Sequence, residues 1–206
     1  MSLQGRQSKL RVTDDVKDEL HHSISKNLKG TRMEVIKILT EKDIFGSDCS
    51  SAHRPKPRAR GVLVDGDGLI ALIYDEGCGY YTIPGGRIED EENHESAFLR
   101  EMLEETGCRC EIAAELGCII QIEQNQAKQD RLYISFCFLA RLIGEKGTPT
   151  WMDDENDRAL RVEWHNLGNA IELVKRAEPT EYSWRFVKER DIAILKAAQV
   201  HLLSGE

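Results

Sequence analysis

Glu101, Glu104 and Glu105 crowd three carboxylates into five residues, shortly after the pair Gly85-Gly86. At about 100° per residue a helix sets all three on one face, with Phe98, Leu99, Met102 and Leu103 in the adjoining apolar arc. Like charges at i,i+4 destabilise a helix, so such a cluster demands a counter-charge. Carboxylate oxygens are the ligands that hard divalent cations such as Mg²⁺ take. Arg100 stands one turn before Glu104 and can lock one carboxylate, leaving the others for metal. The residues alone point to a magnesium site.

Such a cluster needs a rigid scaffold. The pattern predicts a helix over 93–106, stopped by Gly107 at the position after its last turn. Ahead of it, residues 62–64 and 69–74 flank Asp65-Gly66-Asp67-Gly68 and read as a hairpin. Residues 80–84 form a short strand leading into Gly85-Gly86. Behind it, 109–123 and 131–143 read as two long strands around a polar tip, and 161–164 as a short one. Residues 167–176 and 182–203 read as closing helices, the latter with Trp184, Val187, Ile192, Ile194 and Leu195 among its apolar positions. Upstream, 13–29 is a polar helix, 33–39 a strand, and 45–60 a linker or an arm over the core. Strands between helices place the chain in the α/β class.

Residues 86–108, read as Gly86-x5-Glu92-x7-Arg100-Glu101-Met102-x-Glu104-Glu105-x-Gly107-Cys108, resemble the Nudix signature G-x5-E-x7-R-E-U-x-E-E-x-G-U, with U aliphatic. All seven fixed positions match. Chance agreement per starting position is on the order of 10⁻⁸ to 10⁻⁹, which sets aside a merely solvated acidic helix. Two positions depart from the commonest form. Cys108 replaces the last aliphatic residue, a mild change for a small apolar thiol. Glu91 stands where many members carry glycine.

The resemblance implies a Nudix-type α/β/α sandwich around a mixed β-sheet, with N- and C-terminal helical extensions. It divides the chain into an extension (1–57), a catalytic domain (58–176) and a C-terminal helix (177–206) that packs on the core or on a partner. It also implies a Mg²⁺-dependent hydrolase, with Mn²⁺ as substitute, acting on a nucleoside diphosphate linked to a moiety X and releasing nucleoside monophosphate and phospho-X. The ligands carried over are the Gly85 carbonyl and the carboxylates of Glu101, Glu104 and Glu105. Glu92 and Gly86 would support the loop and helix that hold them. Glu101 and Arg100 join the catalytic set, together with a general base. For that base Glu155, in the acidic loop 153–157, is the first choice, with Glu123 as rival and a glutamate of the box itself as a further alternative. Two other readings of the family are a non-catalytic nucleotide-sensing module, which usually loses box carboxylates, and a prenyl diphosphate isomerase, whose cysteine motif is not evident.

Substrate contacts are less determined. Tyr81 and Trp151 are candidate platforms for a base, and Tyr80 shares that position with a packing role. Arg60 ends a basic run with Arg54, Lys56 and Arg58 that reads either as phosphate contacts or as a solvated linker. The secondary motifs of the ADP-ribose, NADH and dinucleoside-polyphosphate subfamilies are missing, which leaves X open.

Composition agrees with this class. A net charge of −8 argues against a general nucleic-acid surface, which needs a basic patch. No apolar run reaches a membrane span, and no signal-peptide core opens the chain. The six cysteines include no C-x-x-C pair and read as buried thiols of a reduced, cytoplasmic protein. The resemblance adds a homodimer as the expected assembly.

Overall fold

A computed structural model of the chain describes residues 33–45, 55–124, 130–151 and 159–204. They all lie in one compact unit, Met33–Glu206. The helix expected at 13–29 lies outside the described residues, as does Glu155 with its acidic loop.

Eight strands form one sheet: β1 (Val35–Thr40), β2 (Lys56–Val64), β3 (Leu69–Asp75), β4 (Tyr80–Thr82), β5 (Gly85–Arg87), β6 (Cys110–Gln124), β7 (Asp130–Leu142) and β8 (Leu160–Asn166). The path runs β1-β6-β7-β2-β3-β4, with β5 added to β2 and β8 to β3. The β1/β6 and β2/β7 pairs are parallel and the others antiparallel, so the sheet is mixed as expected. Four helices accompany it among the described residues: α1 (Glu41–Phe45), α2 (His94–Thr106), α3 (Leu167–Arg176) and α4 (Tyr182–Ser204).

Strand alternation divides the core. On one face Phe98 of α2 lies against Gly61 and Phe138, so closely that a Cβ on Gly61 would stand 2.8 Å from the Phe98 ring. On the other face Val62, Val64 and Leu72 pack against Ala170, Ile171 and Val174 of α3 and Phe186, Ile194 and Leu195 of α4. No helix of the described residues is long and apolar enough to cross a membrane.

The hairpin closes as its residues demand. Asp65 Oδ1 accepts from the backbone N–H of Asp67 (3.0 Å) and Leu69 (2.8 Å), while Gly68 takes the left-handed conformation at φ 78°. Within the stretch 45–60, the described residues 56–60 differ from the linker or arm expected of them. Lys56–Arg60 belongs to β2, paired to β7 on one side and to β5 on the other. Two flanking strands satisfy the backbone there despite Pro57 and the alternating charges. Gly85-Gly86 is likewise strand rather than open loop. On α2, Leu99 and Leu103 are 39% and 46% exposed, whereas Ala97 and Glu101 turn inward with Phe98 and Met102. The apolar arc is thus rotated toward the carboxylate face.

Candidate functional site

The acidic helix is pinned at both ends. Asn93 and Ser96 form a reciprocal cap: the Ser96 N–H donates to Asn93 Oδ1 (2.8 Å) and the Asn93 N–H to Ser96 Oγ (3.2 Å). At the other end Gly107 turns left-handed (φ 69°), and its N–H reaches the Leu103 carbonyl at 2.9 Å. The Thr150 N–H then caps the Glu104 carbonyl at 2.7 Å.

Arg100 supplies the counter-charge. Its guanidinium takes Glu92 in a bidentate grip (2.8 and 3.0 Å) and also reaches Glu101 (2.9 Å), Glu104 (2.8 Å) and the Arg87 carbonyl (2.8 Å). Its pKa rises, chiefly through the Glu92 hydrogen bonds, and the same bonds hold Glu92 below the usual carboxylate range. Arg100 thus ties the helix to the β5 backbone and collects three carboxylates around one cation.

Glu101 is the most enclosed of the three, 8% exposed. Burial pushes its pKa up, against the opposing pull of Arg100. Its carboxylate lies against the Gly86 backbone, where a Cβ would stand 2.4 Å from both oxygens. Glu105 Oε2 accepts from the Gly85 N–H at 2.6 Å. Gly85 itself has φ 130°, a conformation that favours glycine. Its carbonyl accepts from Arg60 Nη1, and burial brings the Arg60 pKa down to about 10, still charged at neutral pH. Glycine-glycine strand and acidic helix are therefore sewn together atom by atom.

A hard cation fits this donor set. Two oxygens of Glu101 and Glu104 are held by Arg100, which leaves Glu101 Oε2 and Glu104 Oε1 directed by a fixed helix. A desolvated carboxylate such as Glu101 is also what a divalent ion would stabilise in its charged form.

A family model described as NUDIX domain matches residues 54–187. The chain belongs to the Nudix family. Its Nudix box is complete, and the box residues are those brought together above.

Similar proteins include diphosphoinositol polyphosphate phosphohydrolase 3-alpha of Mus musculus, 29% identical over 99 residues (48% of this chain, 55% of that protein). Diphosphoinositol polyphosphate phosphohydrolase 2 of Homo sapiens is 28% identical over 99 residues (48% and 49%). The chain spans about half the length of these curated relatives. Among solved structures, a MutT Nudix hydrolase from Burkholderia pseudomallei aligns with TM-score 0.49 at 23% identity, covering 66% of this chain and 98% of that one. An ADP-ribose pyrophosphatase from Streptococcus suis aligns with TM-score 0.45 at 19% identity, covering 70% and 92%.

The remaining site candidates are dispersed. The Tyr81 hydroxyl donates to Glu163 (2.8 Å), and its ring packs on Tyr74 and His165, with its pKa pushed up to about 12 by burial first and Glu163 second. The Tyr80 hydroxyl donates to the Glu178 carbonyl and its ring meets Trp184. Trp151 is half-buried at the end of a described segment. Glu123 is buried on β6, opposite Arg131, and burial raises its pKa to about 7.

Sequence reasoning missed Asp191. This wholly buried carboxylate on α4 pairs with Arg190 (2.7 Å) and accepts from the Ile83 N–H (3.2 Å), two residues ahead of Gly85. Its charge also acts on Arg60. The only signal was the charged run Lys188-Glu189-Arg190-Asp191, and nothing local marks Arg190 and Asp191 as its buried half. His94, Glu95 and Glu115 also converge, their ligand atoms within 4.8 Å of one another, while the His94 ring stacks on Phe136 and Phe138. Sequence spacing had singled out no histidine, because Glu115 reaches this group from another element.

Proposed function

We propose that the protein is a Nudix hydrolase cleaving a diphosphate bond in a nucleoside diphosphate linked to a moiety X. The observation that carries this reading is the intact, Arg100-organised carboxylate cluster packed on Gly85-Gly86. A sensing module would have no need of all four box glutamates. Glu101, Glu104, Glu105 and the Gly85 carbonyl would hold Mg²⁺, or Mn²⁺ in its place. The ion supplies charge neutralisation of the diphosphate and acidification of water. The chain's own part is positional: Arg100 fixes the carboxylates, and Arg60 fixes the Gly85 carbonyl. Glu155 is assigned as general base and Glu123 kept as rival, because a carboxylate titrating near neutrality suits proton abstraction.

A second reading of X comes from the relatives, which are named for diphosphoinositol polyphosphates. A ring bearing several phosphates would suit the cations of β2 as well as a nucleotide would. The proposal further comprises a homodimer in a reduced cytoplasm, acting on a small molecule rather than on nucleic acid.

The test is a panel of nucleoside triphosphates, nucleotide sugars, ADP-ribose, dinucleotides and diphosphoinositol phosphates with Mg²⁺, beside Glu105→Gln. Turnover abolished by the substitution supports the hydrolase and names its substrate. Nucleotide binding by thermal shift without any turnover would favour the sensing module. Glu155→Gln and Glu123→Gln, assayed in parallel, separate the two candidate bases by which one flattens the rise of kcat with pH.

A further inference from the structure

Between β4 and β5 the chain changes partners. β4 pairs with β3 as far as Thr82, and β5 pairs with β2 from Gly85. Ile83 and Pro84 therefore lie between two ladders, and proline has no N–H to give. Buried backbone groups at such a crossing must find partners elsewhere. The Pro84 carbonyl accepts from the Gly61 N–H at 3.2 Å, and the Gly85 N–H goes to Glu105. The Ile83 N–H is met by a side chain, Asp191 Oδ2 of α4, at 3.2 Å. Ile83 itself is 1% exposed and shares a core cluster with Phe186 and Ile194 of that helix.

Asp191 works against its own helix. Aspartate is a poor residue for a helix interior, and this one is wholly buried there. Its second oxygen, Oδ1, accepts from Arg190 Nε at 2.7 Å, and Arg190 is buried too. Neighbours at i,i+1 do not face each other on a helix, so helical geometry alone does not make this pair. Apolar residues of similar volume often replace a buried ion pair without loss of stability, so filling the core does not account for it either. The pair lies outside residues 54–187, which the family model matches. Both of its charges also act on Arg60, whose guanidinium donates to the Gly85 carbonyl.

We infer that Asp191, braced by Arg190, is a positioning residue that fixes the Ile83 N–H and thereby the Gly85 carbonyl two residues on. Glycine leaves the backbone at 85 free to wander, so the clamp comes from the residues ahead of it. Held by Arg190 on one oxygen, the carboxylate cannot rotate its other oxygen away from Ile83. The inference rests on the Gly85 carbonyl as a metal ligand, and on the hydrolase reading only for its effect on turnover.

Two double variants of the full chain test it. Arg190→Met with Asp191→Leu removes both charges and the acceptor; Arg190→Met with Asp191→Asn removes the charges but keeps an acceptor for Ile83. Neither leaves a buried charge unpaired. Asp191→Glu keeps the charge beside Arg190 and moves the acceptor by one methylene, which tests the same bond should the apolar pair not fold. Each is checked by thermal melt, titrated with Mn²⁺ by calorimetry, and assayed on the substrate that the panel identifies. The apolar pair should bind Mn²⁺ about tenfold or more weakly, the scale of losing a partner that orients a ligand. Its kcat should fall likewise while KM stays near wild type, and the asparagine pair should recover most of both losses. Wild-type Mn²⁺ affinity in the folded apolar pair or in folded Asp191→Glu would overturn the positioning role, as would equal loss in both double variants. Weakened Mn²⁺ binding in a chain that hydrolyses nothing refutes the hydrolase alone. Turnover with Mn²⁺ affinity and kcat intact in the folded variants refutes the positioning role alone.

Discussion

Gly86→Ala isolates the position of one carboxylate. The added Cβ would stand 2.4 Å from both oxygens of Glu101, where ordinary contact begins at 3.4 Å. The carboxylate must therefore withdraw by about 1 Å, the scale at which misplacement costs roughly 10²-fold in rate. The backbone has no reason to resist, because Gly86 does not lie in the left-handed region. The clash falls on the end of a flexible side chain, and alanine reduces unfolded-chain entropy by about 0.4–1 kcal/mol. The expected outcome is a folded variant, melting within a few degrees of wild type, whose kcat with Mg²⁺ falls about 100-fold. Isothermal calorimetry with Mn²⁺ should show weakened metal binding beside it. Full turnover in a well-folded Gly86→Ala would refute the placement of Glu101 at the centre of the chemistry.

Two further predictions concern stability. Burial raises Glu123 from 4.5 to about 7 in the folded state, so the folded chain holds a proton that the unfolded chain releases. Its contribution is complete below pH 4.5 and is lost as pH rises through about 7. The fully developed penalty is about 3 kcal/mol, and Glu123→Gln should stabilise the protein at pH 8 but not at pH 4 in urea melts. An equal effect at both pH values would contradict the buried acid. Glu91 holds φ 72°, a left-handed conformation in a residue with a Cβ. Glu91→Gly should relieve about 1–2 kcal/mol of strain, offset by about 0.5–1 kcal/mol of glycine entropy, and so raise the melting temperature slightly. A lowered melting temperature would count against strain at this turn.

What was legible in the sequence was local. Asn93, Ser96 and Gly107 bound α2 through contacts within a turn, and Asp65 and Gly68 close the hairpin within five residues. The box glutamates and Arg100 lie on one short helix, so periodicity alone could group them. The departure at Glu91 was also visible, because a position where glycine is common marks a left-handed backbone, which Glu91 adopts against the preference of a residue with a Cβ. The illegible parts depend on distant partners. Lys56–Arg60 looked like a linker because charges at alternate positions imitate a solvated segment; only β5 and β7, from elsewhere in the chain, make it a strand. Leu99 and Leu103 were grouped with Phe98 and Met102 in one apolar arc, because hydrophobicity alone does not say which part of that arc is buried. The actual phase is set by Glu101, which is drawn inward against Gly86.

That rotation explains how the site is held. A helix oriented by its leucines would turn the glutamates outward, where water would screen them and no close ion geometry would survive. Here the buried Phe98 and Met102 anchor the helix, and the Gly85-Gly86 strand leaves room for Glu101 beside them. Three further contacts then act on that strand and the segment leading into it: Arg100 on the Arg87 carbonyl, Arg60 on the Gly85 carbonyl, and Asp191 on the N–H of Ile83, just ahead of the strand. Each comes from a different element, so the position of β5 is overdetermined while its backbone stays free of side chains. Close approach of a carboxylate to bare backbone requires glycine. Rigidity of a glycine pair requires charged anchors from elsewhere. The two demands meet in α4, whose buried Arg190–Asp191 pair would be an expensive way merely to fill a core.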